Sequence, residues 1–303
     1  MREWFISDTF ASLKGRMAEW LGTGLQNPLH RFESGSDLFF FFAPLKYPTL
    51  KITFLGTGTS QGVPVIGCDC EVCQSPDFRD NRLRSSVLIQ EDDLNIVIDS
   101  GPDFRQQMLR VGIRHLDGLV FTHSHKDHIA GMDDVRGFNF IQKSPVDIYC
   151  NIDTLAALKR EFYYAFEENK YPGVPELNVH DIEANHDFDV KGLPFTPIQV
   201  YHYKMPVLGF RVKDFTYITD ANRIPEDQVE KIKGSKVMVL NALRLTNHIS
   251  HFSLDQAIAL AKDIGAERTY FIHMSHQIGV HAQIEKNLPE GMFFSYDGLE
   301  VEA

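Results

Sequence analysis

Cysteine is scarce in this chain, positive charge is in deficit, and no apolar run is long. Four cysteines in 303 residues, three of them crowded between Cys68 and Cys73, do not supply a disulfide framework. Their clustering points to a metal and to a reducing, cytoplasmic compartment. Lys and Arg number 30 against 41 Asp and Glu, a formal charge of −11. The first fifty residues are charge-balanced, so the acid excess lies wholly beyond them. So acidic a body repels a phosphate backbone, which argues against long nucleic acid as an obligate partner, though a local basic pocket could hold one phosphate. The longest apolar run, LFFFFAPL at Leu38 to Leu45, is far too short to cross a bilayer, and no membrane span is expected. The N-terminus has no basic start followed by a sustained apolar stretch, so no secretory signal is expected. A Gly-rich phosphate loop is missing as well. GTGTSQG, Gly56 to Gly62, lacks the G-x-G-x-x-G spacing and an evident following helix, which weakens a dinucleotide-binding reading.

What is present divides in two. In residues 1–49, Trp4, Phe5, Phe10, Leu13, Met17, Trp20 and Leu21 recur mostly at three- and four-residue steps, which predicts an amphipathic helix. Docking on the body is the plain reading of that extension; a membrane surface or a partner is the rival, and its role is unassigned. From Leu50 the pattern turns β-rich. KITFLG, SSVLIQ and LNIVIDSG read as short strands joined as hairpins. PDFRQQMLRVG reads as a helix with Pro102 at its start and Gly112 at its end. DGLVFTH is a strand, and a helix begins near Asp127. Residues 151–167 predict one helix, and YPGVPELN a loop. FTPIQV, VLGFRV, FTYITD, KVMVLNA and RTYFIH predict strands, with a helix at SLDQAIALAKDIG capped by Ser253. The class is α/β, with residues 50–303 as one domain.

The strand DGLVFT runs straight into HSHKDH. Side chains two apart on a strand point the same way, so His123 and His125 can reach one ion. Asp127 and His128 follow as the chain turns and can face a second point a few ångströms off. Neutral imidazole and carboxylate suit zinc, manganese or iron. A solvated His-rich loop is the bland alternative, and it does not explain this density directly after an apolar strand.

H-x-H-x-D-H resembles the signature of the metallo-β-lactamase superfamily, and the likeness runs from about Leu50 to the end. Its other motif positions match Asp99 in VIDSG, His202 in VYHYK, Asp220 in YITDA and His273 in FIHMSH, in order. The resemblance implies a four-layer αββα sandwich of two mixed sheets flanked by helices. It implies one ion on His123, His125 and His202, a second on Asp127, His128 and His273, and Asp220 bridging both. Asp99 would orient ligands by hydrogen bonds.

GCDCEVC carries Cys68, Cys70 and Cys73. Three thiolates on so short a loop need a fourth ligand to close a tetrahedron, and His276, three residues after His273, is the candidate. C-x-C-x2-C is not a standard zinc-finger spacing, so redox chemistry and simple buried thiols stay open on spacing alone. Cys150, at a strand end, reads as core packing. FLGTGTSQGVPVIGCDCEVC, RLRSS, HSHKDH and HMSHQ resemble the PhnP-type phosphoribosyl cyclic phosphodiesterase branch. That likeness implies a structural zinc on the cysteine loop and His276. It leaves out the first forty-nine residues, and Asn241 stands where that branch would have an acidic residue. His251 matches the branch's extra active-site histidine. Arg82 and Arg84 read as local ion pairs.

The resemblance implies a metal-dependent phosphodiesterase cleaving a small, cyclic phosphate diester, with His251 and Asp127 as catalytic groups and manganese or zinc in the dinuclear site. His248 serves as a tolerant neighbour of His251. Rivals are a tRNA 3′-processing nuclease, disfavoured by the acidic body; a thioester hydrolase, to which the cysteine loop does not point; and a non-enzymatic zinc-stabilised binding protein. The assembly, with a homodimer as one option, is open.

Overall fold

The structure, a computed structural model, describes residues 49–303; the helix expected in residues 1–49 lies outside the described residues. Strands β1 to β6 are Lys51–Gly56, Ser86–Glu91, Leu94–Ile98, Gly118–Val120, Val146–Cys150 and Leu177–Asp181. Strands β7 to β14 are Phe188–Val190, Leu193–His202, Met205–Val212, Phe215–Ile218, Val237–Asn241, Arg268–Ile272, Met292–Phe294 and Glu300–Glu302. They form two seven-stranded sheets, ordered β14-β1-β2-β3-β4-β5-β6 and β13-β12-β11-β10-β9-β8-β7. Each begins with antiparallel hairpins and turns parallel, from β3 to β6 in one and from β10 to β13 in the other.

Period-two alternation builds the layers. Val87 and Ile89 of β2 join Val237 and Val239 of β11 in the core between the sheets. Leu88 points the opposite way, under Phe104 and Leu158. Met238 and Leu240 point outward on the second sheet, against Leu254, Ala257, Ala261 and Ile264. Both faces of these strands are buried, which is why they read as unbroken apolar runs. Helices α1 (Phe104–Val111), α2 (Lys126–Ile129), α3 (Arg136–Gln142), α4 (Ile152–Glu161) and α5 (Tyr163–Phe166) share the first sheet's side of the chain. Helices α6 (Glu226–Ile232), α7 (Leu254–Ile264) and α8 (His281–Ile284) follow among the described residues. The arrangement is the expected αββα sandwich.

Helix α7 starts on the predicted Ser253 cap, reinforced by a capping box with Gln256, and ends at left-handed Gly265. One expectation changes. Residues 151–167 are two helices, not one. Phe162 leaves helical geometry (φ −122°, ψ 39°) with its ring buried in the same core as Leu158. Cys150 is fully buried at the end of β5, as core packing requires. Among the described residues, no helix is long and apolar enough to cross a membrane.

Candidate metal centre and active site

The site lies at the carboxyl ends of strands from both sheets. His123 follows β4, His202 ends β8, Asp220 follows β10 and His273 follows β12. Asp99, Asp220 and His273 adopt left-handed backbone angles, with φ of 65°, 53° and 59°. Such a conformation costs a non-glycine residue about 1 kcal/mol or more. Each residue is fully enclosed by hydrogen-bonding neighbours, which hold it in that conformation with its side chain turned into the site.

Those neighbours set the tautomer of four imidazoles in the same sense. The Thr122 hydroxyl donates to Asp99 Oδ2 (2.8 Å), so it accepts from His123 Nδ1 (2.9 Å). His128 Nδ1 donates to Asp99 Oδ2 at 2.7 Å. His202 Nδ1 donates to the Ser250 carbonyl at 2.8 Å. Ser85 Oγ donates to the Gly58 carbonyl and therefore accepts from His273 Nδ1 at 3.1 Å. All four rings spend Nδ1–H outward and turn Nε2 inward, the arrangement that orients histidine ligands. His123 Nε2 and His128 Nε2 are buried without a hydrogen-bond partner.

The donor atoms of Asp127, His128, Asp220 and His273 all lie within 4.8 Å of one another. Asp220 faces two ways. Its Oδ1 is 3.2 Å from His273 Nε2 and its Oδ2 is 3.2 Å from His128 Nε2. His202 and Asp220 form a second such group, closed by His251. His123 and His125 pack beside it: their ring centroids are 4.7 Å apart, and that of His125 is 5.1 Å from His202. The structure thus gathers all seven expected dinuclear residues. It also brings His251, given no ligand role on sequence grounds, as close to His202 and Asp220 as a ligand would be.

The charges fit a bound cation. Burial opposes ionisation of Asp220, yet His273 and His128 hold its carboxyl well below the usual range. Burial opposes protonation of His128, but Asp127, Asp220 and Asp99 outweigh it and push its pKa well above an ordinary histidine. Burial drives His273 down to about 4 and His123 well below its usual value. Burial also raises Asp99, against the pull of His128. A cation at Nε2 would take over the charge that the carboxylates impose on His128. With its Nδ1 held by Asp99, loss of the Nε2 proton leaves a lone pair aimed at them. The donor set of imidazoles and carboxylates fits divalent metal.

Close backbone approach fixes α2 against the end of β3. The Ser100 N–H donates to the His128 carbonyl and Gly131 N–H to the Ser100 carbonyl, both at 2.8 Å. A Cβ on Gly101 would lie 2.1 Å from the Asp127 carbonyl oxygen. Gly101→Ala is therefore expected to push α2 outward, destabilise the fold by about 1–3 kcal/mol and weaken divalent-ion binding. Calorimetric metal titration checks this, and parent-like affinity would contradict it.

Cys68 Sγ and Cys70 Sγ lie 3.3 Å from His276 Nδ1, and Cys73 Sγ lies at 3.6 Å. A tetrahedral zinc with Zn–S of about 2.3 Å and Zn–N of about 2.05 Å has S···N edges of about 3.6 Å, a spacing that these four side chains fit. The backbone hydrogen bond at Cys73 lowers the Cys70 thiol to about 6, while burial raises Cys73 to about 11. Met274 exchanges backbone hydrogen bonds with Thr57 and Thr59, so the segment that leads into the cysteine loop runs beside His273.

Of the two arginines expected to form local ion pairs, one does. Arg84 pairs with Asp103 at 3.2 Å, as a local ion pair. Arg82 does not: fully buried, it donates to the Ser295 carbonyl (2.8 Å) and Thr57 Oγ1 (3.3 Å), and approaches His281 Nδ1 (3.1 Å). Burial lowers its pKa to about 10. Arg82→Met is expected to cost about 3–5 kcal/mol, since the partners would lose a buried charged donor. An unchanged urea midpoint would refute that. Asn241, where an acidic residue was expected, accepts from Ala221 N–H (2.8 Å) and donates to the Ala221 carbonyl (2.9 Å). An ionised carboxylate could make only the first bond. Asn241 thereby fixes the backbone next to Asp220.

Sequence reasoning assigned no role to Thr122, Ser85, Asn222 or Ser250. The adjacency of Thr122 to His123, and Ser85 within RLRSS, were the available signals. Asn222 joins two loops, donating to the Ile249 carbonyl and accepting from Tyr203 N–H.

The family model of the β-lactamase superfamily domain matches residues 94–274. A solved diphosphatase of the PhnP family is 39% identical, with a TM-score of 0.79 over 84% of this chain and 97% of that one. A Porphyromonas gingivalis protein named octanoyltransferase is 36% identical over 254 residues, 83% of this chain but 51% of that protein, so this chain spans about half its length. Ribonuclease Z of a Mycobacterium species is 25% identical over 213 residues, 64% of this chain and 69% of that one. With the sandwich, the strand-end His/Asp cluster and these relatives in agreement, the chain belongs to the metallo-β-lactamase superfamily of metal-dependent hydrolases, and its likeness extends to the PhnP branch.

Proposed function

We propose that residues 50–303 form a metal-dependent phosphodiesterase domain that hydrolyses a small, cyclic phosphate diester. The carrying observation is His251, whose Nε2 lies 3.1 Å from Asp220 Oδ1 at the edge of the ligand cluster. His123, His125 and His202 would hold one ion, Asp127, His128 and His273 the other, and Asp220 both. Manganese or zinc there would make water acidic enough to attack near neutral pH and would neutralise charge growing on the phosphoryl oxygens. Asp127 accepts a hydrogen bond from the attacking water and keeps it aligned. His251 Nε2 gives a proton to the leaving oxygen. Asp99 and Thr122 hold His128 and His123 in the tautomer the site needs. Cys68, Cys70, Cys73 and His276 would hold a structural zinc that keeps the cysteine loop against the His273 segment.

The PhnP-family relative is a diphosphatase, which supports phosphoryl chemistry and makes a diphosphate the competing substrate. The acidic charge of −11 supports a small ligand over tRNA. Four free cysteines suit a reducing, cytoplasmic setting. A panel of ribose and nucleotide cyclic phosphates, acyclic diesters, a diphosphate and a thioester tests the reading. Preference for a cyclic diester supports it, and preference for the thioester overturns it.

A further inference from the structure

His248 lies three residues before His251 in the loop between β11 and α7, and its ring is tilted 45° to that of His251 with centroids 5.2 Å apart. The two Nδ1 atoms are 3.2 Å apart, and Ser250 Oγ lies 3.2 Å from one and 3.1 Å from the other. One donor in this group is fixed. The backbone N–H of Ser250 donates to His248 Nδ1 at 3.3 Å, so that nitrogen is an acceptor and His248 carries its own hydrogen on Nε2. With His248 Nδ1 an acceptor, a hydrogen on the direct line between the rings comes from His251 Nδ1; a Ser250 hydroxyl that donates to His251 Nδ1 instead is the competing arrangement. At the far side of the His251 ring, Nε2 meets the Asp220 carboxylate. His251 is buried, whereas His248 is partly exposed.

We propose that His248, with Ser250, is a positioning residue that keeps His251 protonated on Nδ1, so that Nε2 is the nitrogen that gives up its proton. The inference rests on the phosphodiesterase reading and assigns it a part specific to this loop. As the P–O bond to the leaving group breaks, its electron pair stays on the leaving oxygen, which takes the Nε2 proton. Water supplies the new P–O bond and releases its own proton to solvent. His251 emerges neutral with Nδ1–H still held, and Nε2 is reprotonated from solvent. Without the acceptor, the neutral ring can settle in the opposite tautomer, which turns a hydrogen rather than a lone pair toward the site after each turnover. The part resembles that of the carboxylate that fixes the histidine of a hydrolytic triad.

The test compares His248→Phe, which keeps a flat ring but no acceptor, with His248→Asn, whose amide oxygen restores one. On an unactivated alkyl diester, His248→Phe is expected to lower kcat about 10–100-fold, the usual loss when an outer partner is removed, with KM and metal content unchanged. His248→Asn should recover most of it, and His248→Phe combined with His251→Ala should be no slower than His251→Ala alone. Isotope-labelled histidine NMR of the zinc-loaded protein supplies a readout independent of turnover: His251 Nδ1 should be protonated in the parent and tautomerically mixed in His248→Phe. If the parent cleaves no diester yet the tautomer depends on His248, the phosphodiesterase reading fails and the positioning role stands. Parent-like kcat in His248→Phe, additive losses in the double variant, or an unprotonated His251 Nδ1 in the parent would each overturn the proposal.

Discussion

His251→Ala is expected to keep its fold and its full complement of metal while losing about 10²–10⁴-fold in turnover of an unactivated phosphodiester, the usual size of a general-acid contribution. The ring is 8% exposed and touches the Asp220 carboxylate, yet five other histidines already supply the proposed dinuclear set. The loss should shrink with a nitrophenolate leaving group, because a stable anion needs less protonation. Two measurements therefore accompany the rate: metal content, and the ratio of losses between the two esters. Since His202, Asp220 and His251 could also ligate together, loss of metal in His251→Ala would move this residue into the ligand set. Equal losses on both esters with full metal would remove the proton-donor role.

Cys70→Ser is expected to reduce folded yield before it affects chemistry. Cys70 lies 3.3 Å from His276 Nδ1 and belongs to a set spanning the cysteine loop and the segment after β12. A hydroxyl is a far poorer zinc ligand than a thiolate, so the loop would lose its anchor and His273 its support. Among its residues only Val63, Val72 and Cys73 form a buried apolar cluster, too small to hold the loop by packing alone. The two kinds of site should also differ in lability. Mild chelation should strip the His/Asp set, with activity restored by manganese, while the thiolate set keeps its zinc. A Cys70→Ser protein with parent stability and parent zinc content would contradict the assignment.

Much of the site was legible because its residues cluster in the chain or stand at strand ends. His123, His125, Asp127 and His128 lie within six positions directly after an apolar strand. Asp99, Asp220 and His273 each follow a run that reads clearly as β. What holds them was less visible. Nothing in VIDSG or YITDA signals a left-handed backbone at Asp99 or Asp220, since neither is glycine. Ser85 and Thr59 reach His273 from 188 and 214 positions away, a contact only the sandwich creates. His248 was read as a tolerant neighbour, but a turn folds it onto His251 within hydrogen-bonding distance. Asn241 appeared as a departure from the branch, and its role depends on an amide that both donates and accepts. The single helix expected over residues 151–167 fails because tertiary packing draws Phe162 into the core.

The most direct test of the central claim is steady-state turnover of a chromogenic phosphodiester and a thioester by the same preparation, first stripped of labile metal and then reloaded with manganese. The proposed reading predicts no phosphodiester cleavage after stripping, recovery on reloading, and little thioester cleavage in either state. Phosphodiester turnover that survives removal of the His/Asp metals, or a reloaded protein that cleaves the thioester as efficiently as the diester, would contradict it.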